Sequence, residues 1–286
     1  MPQITIRRAT PEDAAACGPI CYQAFFDINS AHNFPPDLPS PDAAIGLLSM
    51  MFSHPAFYCV VAESGGRIIG SNCLDERSAI AGVGPITVDT AAQNAGAGRK
   101  LMDAVLARAT ERKFTGVRLL QAAFHNRSLS LYTKLGFDAR EPISTMQGPP
   151  ILKPMDGFHV RPALASDLPA CNRLCRQVHG HDRGGELAEA IEHGTAKVVE
   201  HTGRITGYTS SMAFFGHSVG ETVRDIQALI SAAESFGGPG ILVPTRNAAL
   251  FRWCLENGLR VQYPMTLMSV GMYQKPAGSF LPSILF

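Results

Sequence analysis

The chain has 286 residues, 45% of them hydrophobic and 17% charged, enough for about two domains with real cores, which excludes disorder and collagen-like repeats. Twenty-five basic against 24 acidic residues give a net charge of +1, too little for a general polyanion binder, so no nucleic-acid partner is expected. The apolar stretches, such as 79–88, fall well short of the roughly 20 residues that span a bilayer, and the first residues lack a hydrophobic signal core, so neither membrane contact nor export is expected. Seven scattered cysteines fit reduced thiols and a cytoplasmic location.

In chain order, 6–21 aligns without a gap with 160–175: Ile6-Arg7-Arg8-Ala9, Asp13, Cys17 and Cys21 match Val160-Arg161-Pro162-Ala163, Asp167, Cys171 and Cys175. Both copies read as a short strand followed by a helix. Cysteines four apart share a helix face, where burial as small hydrophobes is expected rather than metal binding. Phe57 to Ala62 and Arg67 to Leu74 read as strands around the turn Gly66-Arg67-Ile68-Ile69-Gly70, which has a counterpart in Gly203-Arg204-Ile205-Thr206-Gly207. Ala79 to Val88 reads as a strand interrupted by Gly82, Gly84 and Pro85, which suggests a bulge or the close approach of another backbone or a ligand.

Leu101, Met102, Val105, Leu106 and Ala109 then recur at helical spacing, followed by a strand over 117–122 and a helix over 128–135 stopped by Gly136. Asn126 to Gly136-Phe137 matches Asn247 to Gly258-Leu259 with one extra residue, so that Trp253 aligns with Tyr132. The repeat predicts two domains of one fold, 1–150 and 151–286, with the boundary in the proline-rich run 148–154. His179, His181 and His193 with Glu189 and Glu192 have no zinc-motif spacing and are expected on a solvated loop and helix face; no metal is expected.

Gln93-Asn94-Ala95-Gly96-Ala97-Gly98-Arg99 lies between the interrupted strand and the amphipathic helix. Its glycines let successive backbone N–H groups turn toward one point, and the helix adds unpaired amides and its positive dipole end, a suitable cradle for a pyrophosphate. From Arg99 to Arg140 nine basic residues face three acidic ones, and Arg99 and Arg127 stand nearest the motifs. Gly82-Val83-Gly84 lacks the third glycine of a dinucleotide fingerprint, and no Walker Gly-Lys-Ser/Thr occurs.

Gln93, Gly96 and Gly98, followed by Asn126, Tyr132, Gly136 and Phe137, resemble the GNAT superfamily of acyl-CoA-dependent N-acetyltransferases over about residues 3–147. The resemblance implies an α/β fold in which each domain is a mixed, mostly antiparallel sheet with helices on both faces, and acetyl-CoA as donor between two diverging strands. It implies cofactor contacts from Ile86, Thr87 and Val88, from Gln93, Asn94, Ala95, Gly96, Ala97, Gly98 and Arg99, and from Asn126 and Arg127. An oxyanion donor is expected in the backbone near Thr87 or Val88, and Tyr132 as the hydroxyl facing the departing sulfur.

Asp75 and Glu76, just after a core strand, are the candidates for taking the amine's proton. Phe25, Phe26, His32, Asn33 and Phe34 are candidate acceptor walls. The second copy lacks the paired glycines and is read as a degenerate domain. The expected function is acetyl transfer to a primary amine of a small or amino-acid-like acceptor, by a monomer or homodimer. The alternative is a noncatalytic acyl-CoA sensor or partner-binding module.

Overall fold

The computed structural model describes residues 3–285. The first half runs β1 (Ile4–Arg8), α1 (Ala14–Ser30), α2 (Pro41–Ser53), β2 (Phe57–Ser64), β3 (Arg67–Asp75), β4 (Ile80–Val83), β5 (Thr87–Val88), α3 (Ala97–Glu111), β6 (Gly116–Ala122), α4 (Asn126–Lys134) and β7 (Asp138–Gln147). The second runs β8 (Phe158–Pro162), α5 (Leu168–His179), α6 (Gly184–Glu192), β9 (Lys197–His201), β10 (Arg204–Thr209), β11 (Ser218–Gly220), α7 (Val223–Ser231), β12 (Ile241–Pro244), α8 (Ala248–Glu256), β13 (Arg260–Gly271) and β14 (Ser279–Leu281).

The repeat is visible down to single contacts. Arg7 Nη1 meets Asp13 Oδ2 at 2.7 Å, and Arg161 Nη1 meets Asp167 Oδ2 at 2.6 Å. Each carboxylate also accepts the N–H three residues earlier, from Thr10 and Leu164, both at 2.8 Å, which fixes the turn into α1 and α5. The arginine holds each of these carboxyls below its usual range.

Both faces of the first sheet are covered, so along the middle of β2, from Cys59 to Ala62, the side chains on both faces are buried. Val60 and Ala62 join Leu101, Val105 and Leu119 under α3, while Cys59 and Val61 join Cys17, Cys21, Leu48 and Met51 beneath α1 and α2. Burial pushes the Cys17 and Cys21 thiols up to about 12, as expected of packing cysteines, and Cys171 and Cys175 sit in the matching core of the second half. Tandem α/β halves built on mostly antiparallel sheets are therefore what the chain forms.

The sheets do not respect the boundary near residue 150. One runs β1-β2-β3-β4-β6-β13-β7-β12, with β5 on β3; the other runs β14-β11-β10-β9-β8. β13 of the second half lies between β6 and β7 of the first, antiparallel to both, and β7 lies between β13 and β12 of the second. The halves thus exchange equivalent strands: each lends the other the strand that fills its central gap. Ile143, Leu242, Tyr263, Met265 and Leu267 seal the joint in one shared core.

The segment after β14 returns to the first half, where a Cβ on Gly82 would lie 2.1 Å from the Leu285 carbonyl oxygen. This is the close backbone approach that the glycines of the interrupted strand suggest. Gly82→Ala is expected to destabilise the fold by about 1–3 kcal/mol, read as a lower urea midpoint at unchanged slope, because the added methyl has to displace a buried backbone.

Candidate active site

β4 pairs with β6 in parallel only from Ile80 to Gly82. Beyond Gly84 and Pro85 the strand leans onto β3, pairing Thr87 with Ser71 and Val88 with Gly70, one residue out of register with the Val83–Leu74 pair. This bulge opens a wedge between β5 and β6. Asp89 N–H donates to Ile69 O at 2.8 Å, so the alternation of an antiparallel ladder turns the Thr87 amide toward β3 and leaves the Val88 amide facing the wedge.

The wedge leads into a cavity of about 800 Å³, within the range of small-molecule sites. At one end stands the N-terminus of α3. Its cap is Gly96 at φ +88°, with no side chain bonding the first amides and no acid in the first turn, so those N–H groups remain available to an anion. In front of them, the Arg127 guanidinium donates to Gln93 Oε1 at 2.7 Å and Asn94 Oδ1 at 2.9 Å, tying α4 to the glycine loop.

Of the cofactor candidates, Ile86, Thr87, Val88, Gln93, Asn94, Gly96, Ala97, Gly98, Arg99, Asn126 and Arg127 line this one cavity; Ala95 is an exposed loop position outside the lining. Tyr132 lines it too, its ring 6.1 Å from that of Phe137, with burial raising the phenol above its usual range so that it stays protonated.

Other candidates fall elsewhere. Asp75 is ion-paired with Arg77 at 2.6 Å and Glu76 with Arg108 at 2.8 Å; neither lines the cavity, because the turn after β3 points them at the hairpin and at α3. Phe25 is a wall residue, whereas Phe26 stacks on Tyr22, and His32 and Phe34 pack on Phe124; none of these three, nor Asn33, is in the lining. His179 and His181 are buried rather than solvated, and Glu189 pairs with Arg77 and His54, because α6 packs against the turn after β3. Among the described residues no His, Cys, Asp and Glu group is arranged to hold a metal ion.

One site residue escaped sequence reading. Asp37, between α1 and α2, lines the cavity, and its Oδ1 accepts from Tyr263 Oη of β13 and from Asn29 Nδ2 at 3.1 Å. Burial raises its pKa. Phe214, Phe215, Met265 and Ile284 from the second half complete that end of the cavity.

The second half keeps the frame and loses the opening. α7 is capped by the Thr222 hydroxyl, and Asp225 in its first turn accepts the Thr222 N–H at 2.8 Å, which ties up the helix start and sets a carboxylate where an anion would sit. β14 pairs with β11, filling the place where the first half has its wedge. α8 corrects the alignment by one residue: Leu259 N–H donates to Cys254 O as Phe137 N–H donates to Tyr132 O, so Cys254, not Trp253, is the counterpart of Tyr132.

Residues 22–137 match the family model described as the acetyltransferase (GNAT) family. These residues form a GNAT acetyltransferase domain. Among solved structures, a Pyrococcus horikoshii protein assigned as an acetyltransferase superposes with a TM-score of 0.71 at 18% identity, covering 96% of this chain and 91% of that one. A GCN5-related N-acetyltransferase of Sphaerobacter thermophilus gives 0.59 at 14%, covering 95% and 96%. One of Anabaena variabilis gives 0.58 at 14%, covering 93% and 72%. Both halves of the chain therefore share a fold arrangement with these proteins. No curated protein matches the chain. Among the described residues no helix is long and apolar enough to cross a membrane.

Proposed function

We propose that the chain is an acetyl-CoA-dependent N-acetyltransferase whose single working site lies in the first half, with a primary amine of a small molecule as acceptor. The observation that carries this reading is the convergence, in one cavity, of the uncapped start of α3, the outward Val88 amide and the protonated Tyr132 phenol.

The residues fit the donor: the open amides of α3 and the Arg127 charge suit a pyrophosphate, and the wedge gives access to the outward Val88 amide. Acetyl-CoA supplies an activated acetyl thioester. The transfer forms a C–N bond to the neutral amine and breaks the C–S bond, and the proton that the nitrogen sheds passes to solvent while the leaving thiolate is balanced by one from solvent. The Val88 N–H is placed to stabilise charge developing on the carbonyl oxygen, and the Tyr132 hydroxyl to hydrogen-bond the departing sulfur. The second half serves this site as a wall and through strand β13, with its own wedge filled by β14.

Arg127→Ala is expected to weaken acetyl-CoA binding about 5- to 20-fold, the loss shrinking at high salt, as read by calorimetry at two ionic strengths. The reading itself is tested by following thiol release from acetyl-CoA across a panel of polyamines, amino acids, aminoglycosides and peptides. Release that depends on one class of amine supports it. Cofactor binding without transfer to any amine would favour a noncatalytic acyl-CoA sensor.

A further inference from the structure

We infer that Asp37 anchors the acceptor's ammonium group in an otherwise apolar chamber, so that the acceptor is a primary amine with an apolar body and no carboxylate. The inference rests on the acetyltransferase reading above and narrows its acceptor.

The charges lining the cavity are segregated. Arg99 at the start of α3 and Arg127 at the start of α4 stand at the pyrophosphate side, and Lys134 at the last turn of α4 is the remaining cation in the lining. Asp37 is the one carboxylate among the described residues that line the cavity, and it stands at the opposite side, with β13 and the second half. Beside the neutral Asn29 and Tyr263 that bond it, the cavity lining supplies the hydrocarbon side chains of Phe25, Ile28, Leu38, Phe214, Phe215 and Ile284. Such a surface offers a carboxylate-bearing acceptor no counter-charge near its amine, while a hydrocarbon or aromatic body would be fully desolvated there.

Asp37 itself is prepared for a cation. Its two neutral donors, Tyr263 Oη and Asn29 Nδ2, both reach Oδ1, and no hydrogen bond from the described residues reaches Oδ2. No Lys, Arg or His among the described residues is ion-paired with this half-buried carboxylate, although partly withdrawing a carboxylate from water without a cation is costly. The position is rigid: Asn29 also donates to Pro35 O at 3.0 Å, and Phe34 packs against Phe124 and Tyr263 with ring centres 4.7 and 6.0 Å away. The loop is thereby fixed from both halves of the chain. Burial that raises the Asp37 pKa also strengthens its pull on an ammonium proton.

The test uses the full chain saturated with coenzyme A, titrated calorimetrically with three molecules of like shape: phenethylamine, 2-phenylethanol and 3-phenylpropanoate. The amine is expected to bind at least about 10-fold more tightly than either of the others, the range of a charged hydrogen bond. Asp37→Asn is expected to erase that preference while coenzyme A affinity stays unchanged, and Tyr263→Phe to retain it. Equal binding of amine and alcohol to the unaltered protein, or tighter binding of the acid, overturns the inference without any variant having to fold. Amine-selective binding with no acetyl transfer would leave the anchor standing and reject the transferase reading, so the two failures are distinct.

Discussion

Tyr132→Phe is expected to slow acetyl transfer about 100-fold at saturating substrates, the lower end of what a positioned proton donor contributes, with the KM for acetyl-CoA changed less than about two-fold. The magnitude follows from the environment. Burial holds the phenol in its protonated form, so it is a constant donor across the working pH range. A thiolate, with an ordinary pKa near ~8.5, does not need full protonation by a phenol near ~10 or higher, so the effect is that of a hydrogen bond to charge developing on sulfur. The substitution removes one oxygen from a ring already packed on Phe137, so the core beneath α4 is retained. A matched fall in kcat and kcat/KM, read in steady-state kinetics, supports the role; turnover within about two-fold of the parent removes Tyr132 from the chemistry.

A fragment ending at residue 150 is expected not to fold, despite containing every candidate cofactor contact. β13 pairs with β6 from Met265–Ala122 to Gly271–Gly116, and with β7 along most of its length. Removing it leaves β7 with no partner at either edge, because β12 on its other side is lost as well. It also strips Leu267 and Met268 from the cores they fill and uncovers the Gly82 surface where Leu285 packs. Unpaired ladder groups and bare apolar strands favour aggregation over a native sheet. Circular dichroism and proton spectra of the fragment are expected to show no cooperative unfolding transition. A fragment that melts cooperatively and binds acetyl-CoA would mean that the exchanged strands are dispensable.

How much of this was legible in sequence depends on how local each feature is. Arg7 with Asp13, and Arg161 with Asp167, are fixed by contacts six residues apart, so the repeat and its helix starts could be read directly. The interrupted strand was legible because Gly82, Gly84 and Pro85 leave a mark that does not depend on the partner. The strand exchange was not, because β7 and β13 carry the same kind of half-apolar pattern whichever sheet they enter, and pairing is a choice made far along the chain.

The one-residue slip at α8 arose from matching Asn126 to Asn247. In the structure His125 and Asn247 are the caps, each accepting the backbone N–H three residues on, and the two helices then run in step. Asp75 and Glu76 are adjacent to the right strand, but their arginine partners are set by the hairpin and α3. Asp37 was hidden for the opposite reason: its partner Tyr263 is 226 residues away, on the borrowed strand.

One half of the chain is expected to hold acetyl-CoA at the open start of α3, and the other half, closed by Thr222, Asp225 and β14, is expected not to. Calorimetric titration of the full chain with acetyl-CoA, beside a Gly98→Asp variant, tests it most directly. Gly98 lies in the first turn of α3, where an added Cβ would make only ordinary contacts, at 3.6 Å to Leu131 and 3.8 Å to Val88, and a carboxylate favours the helix while repelling a phosphate. The predicted result is one site per chain, lost in the variant without any fall in melting temperature. Two sites per chain, or a single site that survives the substitution, would contradict it.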